Sequence, residues 1–175
     1  MERLETEWAE YPVLHMDFSR RKYTDEDKLN ELLNIQISHW EQLYGSDEKE
    51  TSFSGRFEGV IRRAYEKTGR QVVVLIDEYD SPLLDTNSNP ALQQKLRNTV
   101  RDFFSPLKGI GQYLRFLLLT GISKFSQLSI FSELNNLKNI SMRDDFSAIC
   151  GITEGELLSN LQPYIQRMAD ANNET

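Results

Sequence analysis

The stretch Gln71-Val72-Val73-Val74-Leu75-Ile76-Asp77-Glu78-Tyr79-Asp80 decides the fold. Five consecutive apolar residues, three valines among them, run straight into adjacent acids. β-Branched side chains pack well on a pleated surface. An unbroken apolar run of this length predicts a strand buried on both faces, as in a parallel α/β sheet. Acids at the carboxyl end of such a strand stand where open α/β sheets bind ligands. The pair has the form of a Walker B motif followed by a catalytic glutamate. In that reading Asp77 holds the Mg²⁺ of a bound nucleotide through oxygen and water, and Glu78 orients or deprotonates the attacking water. The competing reading is two acids that merely end a buried strand in a polar loop, and spacing alone leaves both open.

Outward from this strand, Tyr11–Phe18 predicts a first strand ending at Asp17. Thr24 is the predicted cap of a helix carrying Leu29, Leu32, Leu33, Gln36, Trp40, Leu43 and Tyr44, with Asp27 completing a weak capping box and Gly45 ending it. Ser54 is the predicted cap of a second helix with Phe57, Val60, Ile61, Ala64 and Tyr65 on one face, stopped by Gly69. After the buried strand, Asp85-Thr86-Asn87-Ser88 reads as a polar turn. Asn89 caps a further helix with Pro90 in its first position. Arg115–Thr120 reads as another short buried strand, and Leu137–Met142 as one more. Thr153 and Glu156 form a capping box for a last helix that Pro163 kinks or interrupts. The order β-α-α-β-α-β-β-α predicts a parallel sheet with crossover helices. Residues 71–76 and 115–119 should be adjacent inner strands, with 11–18 outside the former.

The 20 basic and 27 acidic residues give a net charge of −7, which opposes broad binding of nucleic acid or acidic membranes by the whole surface and leaves a local basic patch open. The single cysteine, Cys150, excludes an intrachain disulfide and fits a reducing compartment such as the cytoplasm. The first residues, Met-Glu-Arg-Leu-Glu-Thr-Glu, carry no signal-peptide core, and no apolar run approaches the roughly 18 residues of a membrane span. One domain over 1–175 is the expectation for this length.

Several residues have both a chemical and a bland reading. Thr120, at the end of a strand neighbouring the acids, has the hydroxyl of a sensor residue that contacts the water or γ-phosphate, although threonines are ordinary at strand ends. Gly121 would let the backbone turn sharply there. Asp80 would stand behind the acid pair, whereas Asp85 reads as a solvated loop acid. Lys124 could reach a phosphate but has the standing of a surface lysine. For Arg143, an ion pair with Asp144 or Asp145 is the better reading. His15, His39 and Cys150 lack zinc-ligand spacing. Asp17 with Glu26-Asp27-Lys28 loosely resembles a nuclease D…ExK pattern, but the triplet falls in the first turn of a helix, where acids are favoured anyway.

No GxxxxGK[ST] occurs in the sequence. That loop supplies the backbone cradle, the phosphate lysine and the Mg²⁺ hydroxyl of a P-loop ATPase. Four blocks nonetheless resemble, in order, the AAA-ATPase-like family: EWAEYPVLHMDFS (7–19), VVVLIDEYDSPL (72–83), FLLLTGISKFSQLSIFSELNNLKNIS (116–141) and FSAICGITEGEL (146–157). The resemblance runs from about Trp8 to Leu158. It implies a P-loop domain of AAA type, often fused in relatives to a nuclease-like domain of the PD-(D/E)XK type. By position it makes Asp77 the Walker B aspartate, Glu78 the catalytic glutamate and Thr120 the sensor, with ATP and Mg²⁺ as cofactors. The family's Walker A loop lies just upstream of the first block, so the expectation is a partial domain lacking that loop. The expected function is Mg²⁺-dependent ATP hydrolysis in the complete protein and little or none in these residues. A non-catalytic remnant and a regulatory interaction module are the alternatives.

Overall fold

The computed structural model describes residues 9–122, 137–141, 143–146, 148–149 and 152–172. Two compact units divide between Asn136 and Leu137. The first is built on a parallel sheet of β1 (Val13–Asp17), β2 (Val72–Asp77) and β3 (Leu114–Leu119), in the order β1-β2-β3. Both pairings are parallel, with Asp17 opposite Asp77 and Ile76 opposite Leu119. The parallel α/β arrangement and the neighbour relations match the expectation, whereas β3, expected as a buried inner strand, is an edge of the described sheet and none of its residues is buried.

The expectation of a β2 buried on both faces is corrected. Val72, Val74 and Ile76 are buried, whereas Val73, Leu75 and Asp77 are half-buried. With side chains alternating along a strand, the in-phase register puts Leu14 and Met16 on the buried face and Val13, His15 and Phe116 on the more open one. Val13 retains 49% and Phe116 53% of its exposure. A run of valines reports strand propensity and not how completely each face is covered.

Three helices supply the core. α1 (Glu26–Tyr44) is capped by Asp25, whose carboxylate accepts from the Lys28 N–H at 3.1 Å. The predicted cap, Thr24, instead donates its hydroxyl to Asp25 at 2.9 Å. Ile37 joins Leu29, Leu32, Leu33 and Trp40 in the core, while Leu43 is exposed. α2 (Phe53–Thr68) is capped by Ser52 and not Ser54, and Gly69 closes it in the left-handed region that glycine adopts without penalty. α4 (Pro90–Phe104) starts at Asn89 as expected. The rings of Trp40 and Phe57 lie 5.7 Å apart and those of Phe57 and Phe103 stack at 4.7 Å, binding the three helices together. On the rim, Arg56 grips Glu41 through two nitrogens at 2.9 and 2.7 Å.

The second unit contains α5 (Glu154–Asn160) and α6 (Gln162–Asn172). Thr153 and Glu156 form the predicted capping box. The last helix is interrupted as expected, with the break at Leu161, two residues before Pro163, whose ring and missing N–H oppose helix continuation. Leu157, Leu158, Tyr164, Ile165 and Met168 are exposed. The strand expected at 137–142 is not one over residues 137–141, and Met142 lies outside the described residues.

Candidate functional site

Because the strands are parallel, their carboxyl ends share one edge of the sheet. Asp17 and Asp77 are register partners there. Asp17 is committed locally: it accepts from the Ser19 N–H at 2.8 Å, the Ser19 hydroxyl at 2.7 Å and Arg20 Nε at 3.2 Å. Burial pushes its carboxyl up, but these bonds outweigh burial and hold it below the usual aspartate value.

The residue following β3 gathers the Walker B-like pair. Thr120 donates its N–H to the Ile76 carbonyl at 2.9 Å, and its own carbonyl accepts from the Tyr79 N–H at 3.1 Å. Its hydroxyl donates to Asp77 Oδ1 and accepts, at 3.4 Å, from the Glu78 N–H. Asp77, Glu78 and Thr120, the three site residues expected from the sequence, are thus brought together. The Thr120 hydroxyl is engaged with the acid pair itself. Glu78 sits at φ +50°, in the left-handed region that a non-glycine residue adopts at a cost. Its carboxyl is raised above the ordinary glutamate range, first by burial and then by the charges of Asp80, Asp77 and Asp17. Among the described residues neither Asp77 nor Glu78 forms an ion pair.

The turn beyond is more ordered than the sequence signals. α3 (Ser81–Asp85) begins at Asp80, whose carbonyl accepts from the Leu83 and Leu84 N–H groups at 2.9 and 3.0 Å. Its Ser-Pro start fits a helix amino terminus but is easily read as loop. Asp85, expected to be a solvated loop acid, ties this turn to the loop after β1: it accepts from the Tyr23 N–H and from Lys22, each at 3.1 Å. Asp80 is fully buried and packed against Gly121. No sequence signal marks that contact.

Arg143 makes a two-pronged pair with Asp145 at 2.9 and 2.7 Å, as its bland reading holds. Glu26 opens α1 and pairs with Lys95 at 2.5 Å, so the nuclease-like triplet is a helix start. Lys124 and Cys150 lie outside the described residues. An open hollow of about 590 Å³ beside Tyr11, Tyr44 and Arg70 lies toward the amino ends of β1 and β2, away from the acids.

Among the described residues no cluster of three or more metal-ligating side chains occurs. Mg²⁺ keeps several waters and takes one or two carboxylates plus substrate phosphates in place of an all-protein cage. The hard carboxylate oxygens of Asp77, which has no ion pair among the described residues, are donors of the kind such an ion takes.

The sheet is a parallel α/β sheet with adjacent acids at the carboxyl end of its central strand, the edge at which open α/β sheets bind ligands. A family model described as predicted AAA-ATPase matches residues 1–131, and the chain belongs to this AAA-ATPase-like family. It is 38% identical over 164 residues to a protein of Azotobacter chroococcum mcd 1 described as an uncharacterized protein in the vnfD 5' region. The match takes in 91% of this chain and 31% of the relative, so the chain spans about a third of that relative's length. No solved structure matches the chain. Among the described residues no helix is long and apolar enough to cross a membrane.

Proposed function

We propose that these residues form the Walker B and sensor portion of a Mg²⁺-dependent ATPase module. The observation that carries the reading is Thr120 at the end of β3, hydrogen-bonded to both Asp77 and Glu78 at the end of the adjacent parallel strand. Asp77 would hold Mg²⁺ and Glu78 would take up or orient the proton of the attacking water. Bound Mg²⁺ would supply neutralisation of phosphate charge. Thr120 fixes the Asp77 carboxylate and, through the Glu78 N–H, the backbone from which the base projects. The raised carboxyl of Glu78 brings it closer to neutral pH, which suits a general base. The single cysteine supports a cytoplasmic setting.

Phosphate binding needs more than acids. Like charges 4 Å apart near a protein surface repel by about 4 kcal/mol at an effective dielectric of ~20, so the acids oppose a polyanion until cations offset them. The sequence has no GxxxxGK[ST] to supply a fixed cation. A second reading is a regulatory or non-catalytic module that works with other segments. Calorimetric titration of Mg-ATP separates the two. The ATPase reading expects little heat from the 175-residue chain and clear binding when a phosphate loop precedes it, weakened by Asp77→Asn. Equal binding by the loop-bearing chain and its Asp77→Asn variant would refute it.

A further inference from the structure

We propose that Gly121 is a positioning residue for Glu78: its missing side chain lets the end of β3 seat directly against buried Asp80, and that seat fixes the turn from which Glu78 projects. The functional meaning of the seat rests on Glu78 being the water-activating acid proposed above.

A Cβ at residue 121 would lie 2.6 Å from Asp80 Oδ1, 2.8 Å from Tyr79 Cε1 and 3.0 Å from Asp80 Cγ. Real side chains do not tolerate such approaches. Gly121 is absent from the positive-φ residues, so close approach and not a sharp turn is what requires glycine here. Neither neighbour has room to yield. Asp80 has no exposed surface and Tyr79 retains 1%. The Asp80 carbonyl is held by two N–H groups of α3, which fixes its backbone to that helix.

An added methyl must therefore part the end of β3 from the turn after β2. The bonds spanning that gap are those from the Tyr79 N–H to the Thr120 carbonyl and from the Glu78 N–H to the Thr120 hydroxyl, at 3.1 and 3.4 Å. The second is already long, so a shift of a few tenths of an ångström removes it. Glu78 is then released from the strained conformation its neighbours impose. The strand pairing from Val73 to Ile76 lies behind this point and does not depend on it.

Amide hydrogen exchange by NMR on the 175-residue chain tests the seat, using Gly121→Ala, Asp80→Ser and the double variant. Gly121→Ala should speed exchange at the Glu78 and Tyr79 amides by roughly tenfold or more while leaving Val74 and Leu75 near wild type. Asp80→Ser removes the atom the methyl would strike hardest but leaves Tyr79 Cε1 in place, so adding it to Gly121→Ala should bring exchange at both amides part of the way back to wild type. A general loss of stability would instead speed all four amides together. The proposal is overturned if Gly121→Ala leaves Glu78 and Tyr79 unchanged, if all four amides speed equally, or if Asp80→Ser brings no recovery. A Gly121→Ala chain that fails to fold and is not rescued by Asp80→Ser would overturn it as well. The measurement uses neither metal nor nucleotide, so it is independent of the Mg-ATP titration. Failure of that titration would remove the catalytic meaning of the seat and leave the contact standing.

Discussion

Replacing Thr120 with valine keeps its shape and removes its hydroxyl, which isolates the link between β3 and the acid pair. The hydroxyl donates to the Asp77 carboxylate and accepts from the Glu78 N–H. A hydrogen bond to a charged group contributes about 1.5–3 kcal/mol, and the 3.4 Å contact adds no more than ~0.5 kcal/mol. Thr120 is half-buried, so water recovers part of this in the variant. The expected loss is about 2 kcal/mol, or a Tm lower by roughly 4–8 °C for a chain of this size. Urea unfolding of wild type, Thr120→Val, Asp77→Ala and the double variant should give a coupling energy of about 1 kcal/mol or more between the two sites. Thr120→Ser should stay close to wild type. A coupling energy near zero, or a Thr120→Val chain as stable as wild type, would refute the claim that Thr120 holds Asp77 in place.

Glu78 provides a pH test. Its folded carboxyl is raised above the ordinary 4.5, so ionising it costs more in the folded chain than in the unfolded one. The associated stability is present at low pH and lost as pH rises through the folded value. Glu78→Gln should therefore be more stable than wild type at pH 7, with the gain vanishing well below pH 4.5; a gain that persists in acid would contradict this. Comparing the two chains at each pH cancels the opposite trend of Glu41, which hydrogen bonds from Arg56 hold below its usual range. Glu78→Gly should also stabilise: relief of ~1–2 kcal/mol at φ +50°, against ~0.5–1 kcal/mol of added unfolded-chain entropy, leaves a gain of about 1 kcal/mol, measurable by thermal unfolding. Asp25→Ala should cost about 1 kcal/mol in urea unfolding as the loss of the α1 cap, whereas Thr24→Ala should cost clearly less. The reverse order would return the cap to Thr24.

The strands were legible because stretches rich in β-branched or aliphatic residues each end in a polar residue, a local pattern that survives in the fold, whereas their order came from the likeness to P-loop sheets. Asp77, Glu78 and Thr120 were legible for the same reason: they follow directly from where those strands end. Helix caps were harder. Thr24 and Asp25, or Ser52 and Ser54, are near-equivalent acceptors, and only the backbone conformation chooses between them. The half-open second face of β2 was hidden because an all-apolar strand looks alike whether one face or both are covered. The Asp80–Gly121 seat was also hidden. It joins residues 41 positions apart through an absent side chain, and no periodicity encodes such a contact.

The role of Glu78 is most directly read from ATP turnover in the chain preceded by a GxxxxGK[ST] loop, measured beside its Glu78→Gln variant. A general base contributes roughly 10²–10⁴-fold, so Glu78→Gln should lower turnover by that order while Mg-ATP binding persists. Unchanged turnover in Glu78→Gln, or brisk hydrolysis by the 175-residue chain itself that Glu78→Gln abolishes, would contradict the assignment of phosphate binding and catalysis to separate segments.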